Sequence, residues 1–433
     1  MQKRIFNFLI IITLSVIFVT PLFFRPKILT GDEPHYLIAI QSVINDHDLN
    51  LTNNYKSITE NEEIYFKDLL TVLDHHSVFV KKNAETIRWW FNLDTDKLVG
   101  YKERPEHSVI FILLYSLFTF PLAPFFGIAL GSLLISHLFA VISFLLFYLI
   151  AKKYLKVKIA QAATIFLIFG TSFWFYANTV YSEIFLAFLL LLSFYLYSKN
   201  KWYFLSGFLI GLAASIKIPF TLLFMIFIQD LIKKKRIIQS ILLASGFISM
   251  LFLFFLVNYV IYYDPIFFPV TGNPLHPIAG DLYSQPWIGM WGLLLSYRNG
   301  LIIFTPLLVF GVLQSISSFL KHRRLNIMMT IPLGIIFVFS FWFYWNGGYS
   351  FSYRLILPAV PFLALLTFQY LENIKQKLLR FIFYAICSYS VLIQATSVIL
   401  PTKLTTSQPP FINKYILQIL QKRDFLPYHN LNE

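Results

Sequence analysis

The chain has 433 residues, of which 57% are apolar and only 13% charged, well under the quarter that soluble domains usually carry. Its formal net charge is +14, but 18 of the 35 Lys and Arg sit in short clusters between apolar runs. That pattern excludes a basic nucleic-acid surface and marks membrane topology instead. The single cysteine, Cys387, excludes a disulfide framework and a cysteine metal site.

In chain order, Lys3-Arg4 precedes an apolar stretch from Ile5 to Phe24. The stretch is long for a signal-peptide core and no small-x-small site follows, so 1–24 is read as an uncleaved, outward-running first helix. Residues 25–124 are expected to form an extracytoplasmic loop with juxtamembrane helices. Within it, 108–122 is read as interfacial or re-entrant, ended by Pro121 and Pro124. A crossing there would put Lys152 to Lys158 and every later basic cluster outside.

Residues 125–400 are read as a helical bundle. Spans are predicted near 125–150, 159–178, 181–198, 202–217, 219–232, 237–258, 300–320, 326–344, 355–371 and 380–400, each approaching the roughly 20 residues that cross ~30 Å of hydrocarbon. An outer loop is expected at about 259–299, and an extracytoplasmic tail at 401–433. With helix one, the fold class is an all-α polytopic membrane protein of about 11 transmembrane helices, N-terminus inside, in a bacterial cytoplasmic (inner) membrane.

Fourteen of the 21 Asp and Glu lie between Asp32 and Glu106. Most read as a solvated face. Asp32 and Glu33 stand apart, because they follow helix one by a few residues. Thr30-Gly31-Asp32-Glu33-Pro34 resembles a helix start with Thr30 as cap. Tyr36, Leu37, Ile40, Val43 and Ile44 then make an apolar face, predicting an amphipathic helix on the outer leaflet. Asp32, His35 and Tyr36 share one side of it. On spacing alone two readings stand side by side: complements to the helix dipole, or catalytic acids.

An outward first helix followed by Gly31-Asp32-Glu33-Pro34-His35-Tyr36 resembles the GT-C glycosyltransferases, within them the protein O-mannosyltransferase and aminoarabinose-transferase group. Those enzymes open their first loop with an acidic pair and close it with Lys and Pro. Tyr101-Lys102-Glu103-Arg104-Pro105 is similar to that close, with two residues inserted and no Pro-Pro pair. Tyr181-Ser182-Glu183 stands where a second acid is common, and Gly207 to Lys217 before Ile218-Pro219 is similar to a Gly-rich helix ending in Lys. Tyr297-Arg298-Asn299-Gly300-Leu301 with Thr305-Pro306, and Trp345-Asn346-Gly347-Gly348-Tyr349-Ser350 with Arg354, resemble further blocks of bacterial members.

The resemblance implies a GT-C-like fold and transfer of a sugar from a polyprenyl-phosphate donor to a lipid, glycan or protein acceptor on the outer face. The donor carries its own leaving group, so no nucleotide-binding domain is needed. Asp32 is expected to be the base and Glu33 to orient the acceptor, since a carboxylate both takes a proton and steadies a cationic anomeric centre. Lys217, Arg298, Arg354 and Lys102 are expected to meet the donor phosphate. For the first three, snorkelling to head groups is the competing reading. Glu183, His35 and Tyr36 are expected on the acceptor side. No cofactor is assigned. Asp46-His47-Asp48 and Asp74-His75-His76 keep a divalent metal open, although adjacent side chains seldom converge on one ion. A transporter or flippase for a lipid-linked saccharide, or a non-catalytic relative, is the alternative. The concentration of polar residues at one face, with helix interiors almost free of charge, favours transfer over passage. Sugar, acceptor and oligomeric state are not legible.

Overall fold

A computed structural model of the chain describes residues 32–51, 53–54, 91–92, 97–98, 105, 107–262, 285–297, 299–321, 327–342, 345, 347 and 350–399. Helix one, most of the first loop, Lys102, His75, Arg298, the segment 263–284 and the tail from 400 lie outside the described residues.

The helices, in chain order, begin with α1 (Glu33–Gln41), α2 (Val109–Thr119), α3 (Ala123–Ala151) and α4 (Val157–Phe169). There follow α5 (Ser182–Ser198), α6 (Tyr203–Ile216), α7 (Thr221–Lys233) and α8 (Ile237–Tyr262). The last are α9 (Pro286–Leu295), α10 (Val309–Lys321), α11 (Ile327–Ser340), α12 (Val360–Asn373) and α13 (Lys377–Ile399). Two-residue strands β1 (Phe91–Asn92) and β2 (Lys97–Leu98) pair antiparallel, Phe91 opposite Leu98. Among the described residues, four helical stretches have the length and apolarity to cross a membrane: Ala123–Ala151, Ile237–Ile261, Arg354–Asn373 and Lys377–Val398. The protein is an all-α polytopic membrane protein.

The chain forms two compact units. The first comprises Met1–Lys153 and Phe175–Gly280; the second comprises Tyr154–Trp174 and everything from Asp281.

In the first unit, α2 and α3 form an antiparallel hairpin. Tyr115 hydroxyl lies 3.2 Å from Ser136 Oγ, and Thr119 Oγ1 lies 3.2 Å from Ser132 Oγ. Gly127, at φ 75° and ψ 165°, breaks the first turn of α3 from its remainder, a left-handed backbone that favours glycine. Helices α5 and α6 are antiparallel, tied by the Ser193 and Ser206 hydroxyls at 2.8 Å. Helices α6 and α8 are parallel and touch backbone to backbone. A Cβ built on Gly207 would fall 1.9 Å from the Leu243 carbonyl oxygen, and one on Gly246 would fall 1.9 Å from that of Phe204. Small residues four apart, Gly207 and Gly211, permit this approach. Phe224 of α7 stacks on Phe247 of α8 at 4.1 Å.

In the second unit, Phe166 of α4 packs on Phe368 of α12 at 5.5 Å, and Phe310 of α10 stacks on Tyr370 of α12 at 5.1 Å. Gly289 of α9 sits against the Ser340 carbonyl of α11, where a Cβ would fall 2.0 Å away.

The described helices follow the predicted runs except at chemically marked breaks. The run 159–178 stops at Phe169, because Thr171 Oγ1 donates to the Leu167 carbonyl at 2.5 Å and then accepts the Phe173 N–H at 3.3 Å. Hydroxyls placed there compete with the helix backbone. The run 300–320 is interrupted by Thr305-Pro306, since Pro306 has no N–H to donate. Helix α9 lies inside what the sequence presents as the outer loop 259–299; its ten residues are too few to announce a span. Helix α1 starts at Glu33 with Asp32 as N-cap, and the Asp32 side chain makes no capping bond. Thr30, the cap expected from the sequence, lies outside the described residues. The predicted apolar face is present, but His35 and Tyr36 are buried as well as Leu37 to Ile40, so α1 is packed within the unit rather than spread on a lipid surface.

The glycine contacts yield a stability prediction. Gly207→Val and Gly246→Val each force α6 and α8 apart, and overpacking typically costs ~1–3 kcal/mol. Both variants should melt clearly below the native chain in detergent. Gly131→Ala, whose added methyl meets Thr119 Cγ2 at 3.3 Å, should melt within a degree or two of native.

Candidate functional site

Three helix ends of the first unit converge on one group of polar side chains. Two are N-termini with an acid in the first turn: Glu33 in α1 and Glu183 in α5. The third is the C-terminus of α6, where Lys217 is the C-cap in extended conformation before the turn Ile218–Phe220. Each charge matches the sign its helix dipole favours.

The contacts join these ends. Glu33 is fully buried, and its Oε1 accepts the Val180 N–H at 2.9 Å. Glu183 is fully buried too, and its Oε1 accepts from Lys217 Nζ at 2.5 Å. The Lys217 side chain keeps 19% exposure against 1% for Glu183, so the lysine is the more exposed half of the pair. The Tyr36 hydroxyl donates to Ser182 Oγ at 3.4 Å, and Ser182 Oγ donates to Glu183 Oε2 at 3.5 Å. The Tyr36 ring stacks on His107 at 4.1 Å and meets Phe111 edge-on at 5.0 Å. Ser108 Oγ donates to the Ser215 carbonyl at 2.9 Å, tying the start of α2 to the end of α6. Behind Glu33, His137 Nε2 and Asn178 Oδ1 lie 3.0 Å apart, bracing the turn that presents Val180.

Asp32 differs from Glu33. It is half-buried, its carbonyl accepts the Tyr36 N–H at 3.1 Å, and its side chain makes no capping bond. The structure thus brings Asp32, Glu33, His35 and Tyr36 together with Glu183 and Lys217 in one unit. His107, Val180 and Ser182 complete the group. Val180 acts through its backbone and leaves no sequence signal.

The group is recessed. Phe139 of α3 packs on Phe185 of α5 at 4.6 Å, and Lys153 Nζ reaches Ser198 Oγ at 2.9 Å, so these helices run parallel with His137 near the level of Glu183. Back to the break at Gly127, α3 therefore continues past Glu183 for about nine residues, ~14 Å at 1.5 Å per residue. By the glycine register, α8 likewise continues past Lys217, for ~9 Å. Exposed apolar side chains stand at both ends, Phe125 and Phe126 in the turn beyond Gly127 and Tyr259 and Val260 at the end of α8. Hydrocarbon, not water, suits such flanks.

In the second unit, Arg354 is buried at the start of the turn Arg354–Ala359, its Nη1 3.5 Å from the Gly347 carbonyl. Gly347 has φ 72°, and its carbonyl also accepts from Ser350 Oγ at 2.8 Å. Next to Arg354 in sequence, the Tyr353 hydroxyl lies 2.6 Å from Thr305 Oγ1 and accepts the Ser172 N–H at 3.2 Å. Gln394 Nε2 donates to the Phe304 carbonyl at 3.0 Å. Ser172 and Gln394 lie within largely apolar runs, and nothing in the sequence points to them. Among the described residues no group of three His, Cys, Asp or Glu is placed to hold a metal ion. Asp46 instead accepts from Asn53 and Asn54, and Asp48 from Ser42 and the Asn50 N–H.

Helical packing of this order defines a polytopic membrane fold. The structure is similar to that of ArnT from Cupriavidus metallidurans, solved bound to undecaprenyl phosphate, with a TM-score of 0.56 and 14% sequence identity. The similarity covers 91% of this chain and 65% of ArnT, so the chain spans just under two thirds of that protein's length. No protein-family model matches the sequence, and no curated protein matches it.

The ion pair can be tested directly. Lys217→Met leaves Glu183 buried without its cation, and breaking a buried pair costs ~3–5 kcal/mol. A marked fall in the melting temperature is expected. The double variant Glu183→Gln/Lys217→Met should recover most of the loss; equal melting of single and double variants would contradict the pairing.

Proposed function

We propose that the protein is a glycosyltransferase that moves a sugar from a polyprenyl-phosphate donor to a lipid, glycan or protein acceptor at the outer face of a bacterial cytoplasmic membrane, with inversion. The observation that carries this reading is the meeting of Glu33, Tyr36, Glu183 and Lys217 at one recessed point, with Asp32 next to Glu33 at the start of α1, in a fold similar to that of ArnT. The bound undecaprenyl phosphate of ArnT supports the choice of donor class.

In the proposed reaction the acceptor hydroxyl oxygen attacks the anomeric carbon. The C1–O bond to phosphate breaks, polyprenyl phosphate departs with the electron pair, and the acceptor proton passes to the Asp32 carboxylate. Asp32 suits that task because it is half-buried and within reach of an acceptor, whereas Glu33 is fully buried. Tyr36 and His35 lie beside Asp32 on the acceptor side. Lys217 steadies the departing phosphate, and Glu183 holds its ammonium in place. Arg354 of the second unit, and Arg298 and Lys102, which lie outside the described residues, are carried as further phosphate contacts on sequence grounds. The recess lets a lipid-borne donor keep its polyprenyl chain in hydrocarbon while its phosphate reaches Lys217.

General-base catalysis contributes typically ~10²–10⁴-fold, and Asp32→Asn should lower transfer by that order in a strain with a scorable surface glycan or glycolipid. Glu33→Gln keeps an oxygen for the Val180 N–H and should lose ~10-fold or less. Unchanged glycosylation in Asp32→Asn at normal protein level would remove Asp32 from the mechanism.

A further inference from the structure

At the opposite end of the first unit, α3 and α5 finish side by side. Three ammonium groups gather there. Lys153 Nζ lies 5.4 Å and Lys199 Nζ lies 5.2 Å from the centroid of the Tyr195 ring, so two cations share one aromatic side chain. Lys153 also donates to Ser198 Oγ at 2.9 Å. Lys152 lies beside them over Tyr148, 5.7 Å from its centroid. No carboxylate among the described residues pairs with any of the three. The acid at this end, Asp230, is taken by Lys234 at 2.5 Å and by the Tyr197 hydroxyl. Arg236 is likewise held, donating to Asn200 Oδ1 at 2.5 Å and to the Tyr203 hydroxyl at 3.0 Å. Partial burial, and then the crowding of Lys199 and Lys152, push the Lys153 ammonium below its ordinary pKa. Like charges held this close are relieved by an anion.

We propose that the adjoining ends of α3 and α5 bind the phosphate of an anionic phospholipid, clamped by Lys153 and Lys199 across Tyr195 with Lys152 beside it. Two features favour a lipid over a free phosphate. The cations stand at the ends of two apolar helices, where head groups lie. Along the same helices Leu145 is 40% exposed and Phe188 and Leu192 are half-buried, offering the acyl chains a flank that leads to the lysines. By its basic clusters this is the end assigned to the cytoplasm, whose leaflet carries anionic lipid. The proposal is independent of the transfer reaction, and its failure would leave that reading intact.

The test titrates fluorescent phosphatidylglycerol into the purified full-length chain in detergent, with fluorescent phosphatidylcholine and inorganic phosphate as comparison arms. Each juxtamembrane lysine contributes about fivefold in affinity. Lys199→Gln, at an exposed helix end, should therefore weaken phosphatidylglycerol binding about 5-fold, and Lys153→Gln/Lys199→Gln roughly 30-fold. Lys233→Gln/Lys235→Gln removes the same charge from this end but touches none of these contacts, and should stay within twofold. An unchanged affinity in Lys199→Gln, or an equal loss in Lys233→Gln/Lys235→Gln, overturns the site. Equal binding of phosphatidylcholine, or displacement by millimolar inorganic phosphate, overturns the phospholipid assignment.

Discussion

The Glu183–Lys217 pair is the constraint on which the first unit rests. Two charges withdrawn from water cost several kcal/mol each unless geometry and neighbours offset it. Here the offset is built into the backbone. Glu183 begins α5 and Lys217 ends α6, so each charge sits where its helix dipole favours it. The helices are antiparallel and of similar length, and their Ser193–Ser206 hydrogen bond fixes the register that brings the two ends level. Once they are level, the remaining parts have defined places. Helix α1 docks through Glu33 on Val180 and Tyr36 on Ser182, α2 through Ser108 on Ser215, and α8 through the glycine face of α6.

Recession follows from the same arrangement. Helices α5 and α6 have 17 and 14 residues, ~25 and ~21 Å of length, short of a full hydrocarbon crossing. Their longer neighbours α3 and α8 make up the difference. The polar group therefore lies within the depth of the bundle, where effective permittivity is low and a single ammonium acts on a phosphate more strongly than at an open surface. Short helices, often read from sequence as marginal spans, are here what creates the depth of the site.

Much of this was legible in the sequence. Basic clusters and apolar runs placed nearly every described helix, because both signals come from local solvation. The residues brought together around Lys217 had also been named individually from motifs at helix ends. What could not be read was the set of long-range relations. That Glu183 would take Lys217, and that Glu33 would spend an oxygen on a backbone N–H, depends on register between helices far apart in the chain. The helix breaks at Thr171 and Pro306 came from side-chain hydroxyl and proline chemistry inside runs whose hydropathy alone looks continuous. Helix α9 was missed because ten residues give too short a window. The buried status of α1 was missed because an apolar stripe shows which face must be covered, never that the other face is covered too.

The placement of α4 has a consequence for biosynthesis. This helix belongs to the second unit, yet it is made between two segments of the first. Its aromatic partner Phe368 lies some two hundred residues downstream of Phe166. At typical rates of translation, ~5–20 residues per second, α4 waits on the order of ten to forty seconds for α12 to emerge. During that interval its packing face rests against lipid or an insertion factor, while the helices on either side of it in the chain are already able to pair. Assembly is thus interleaved: the second unit is begun before the first is complete, and it closes only when the last third of the chain has been delivered.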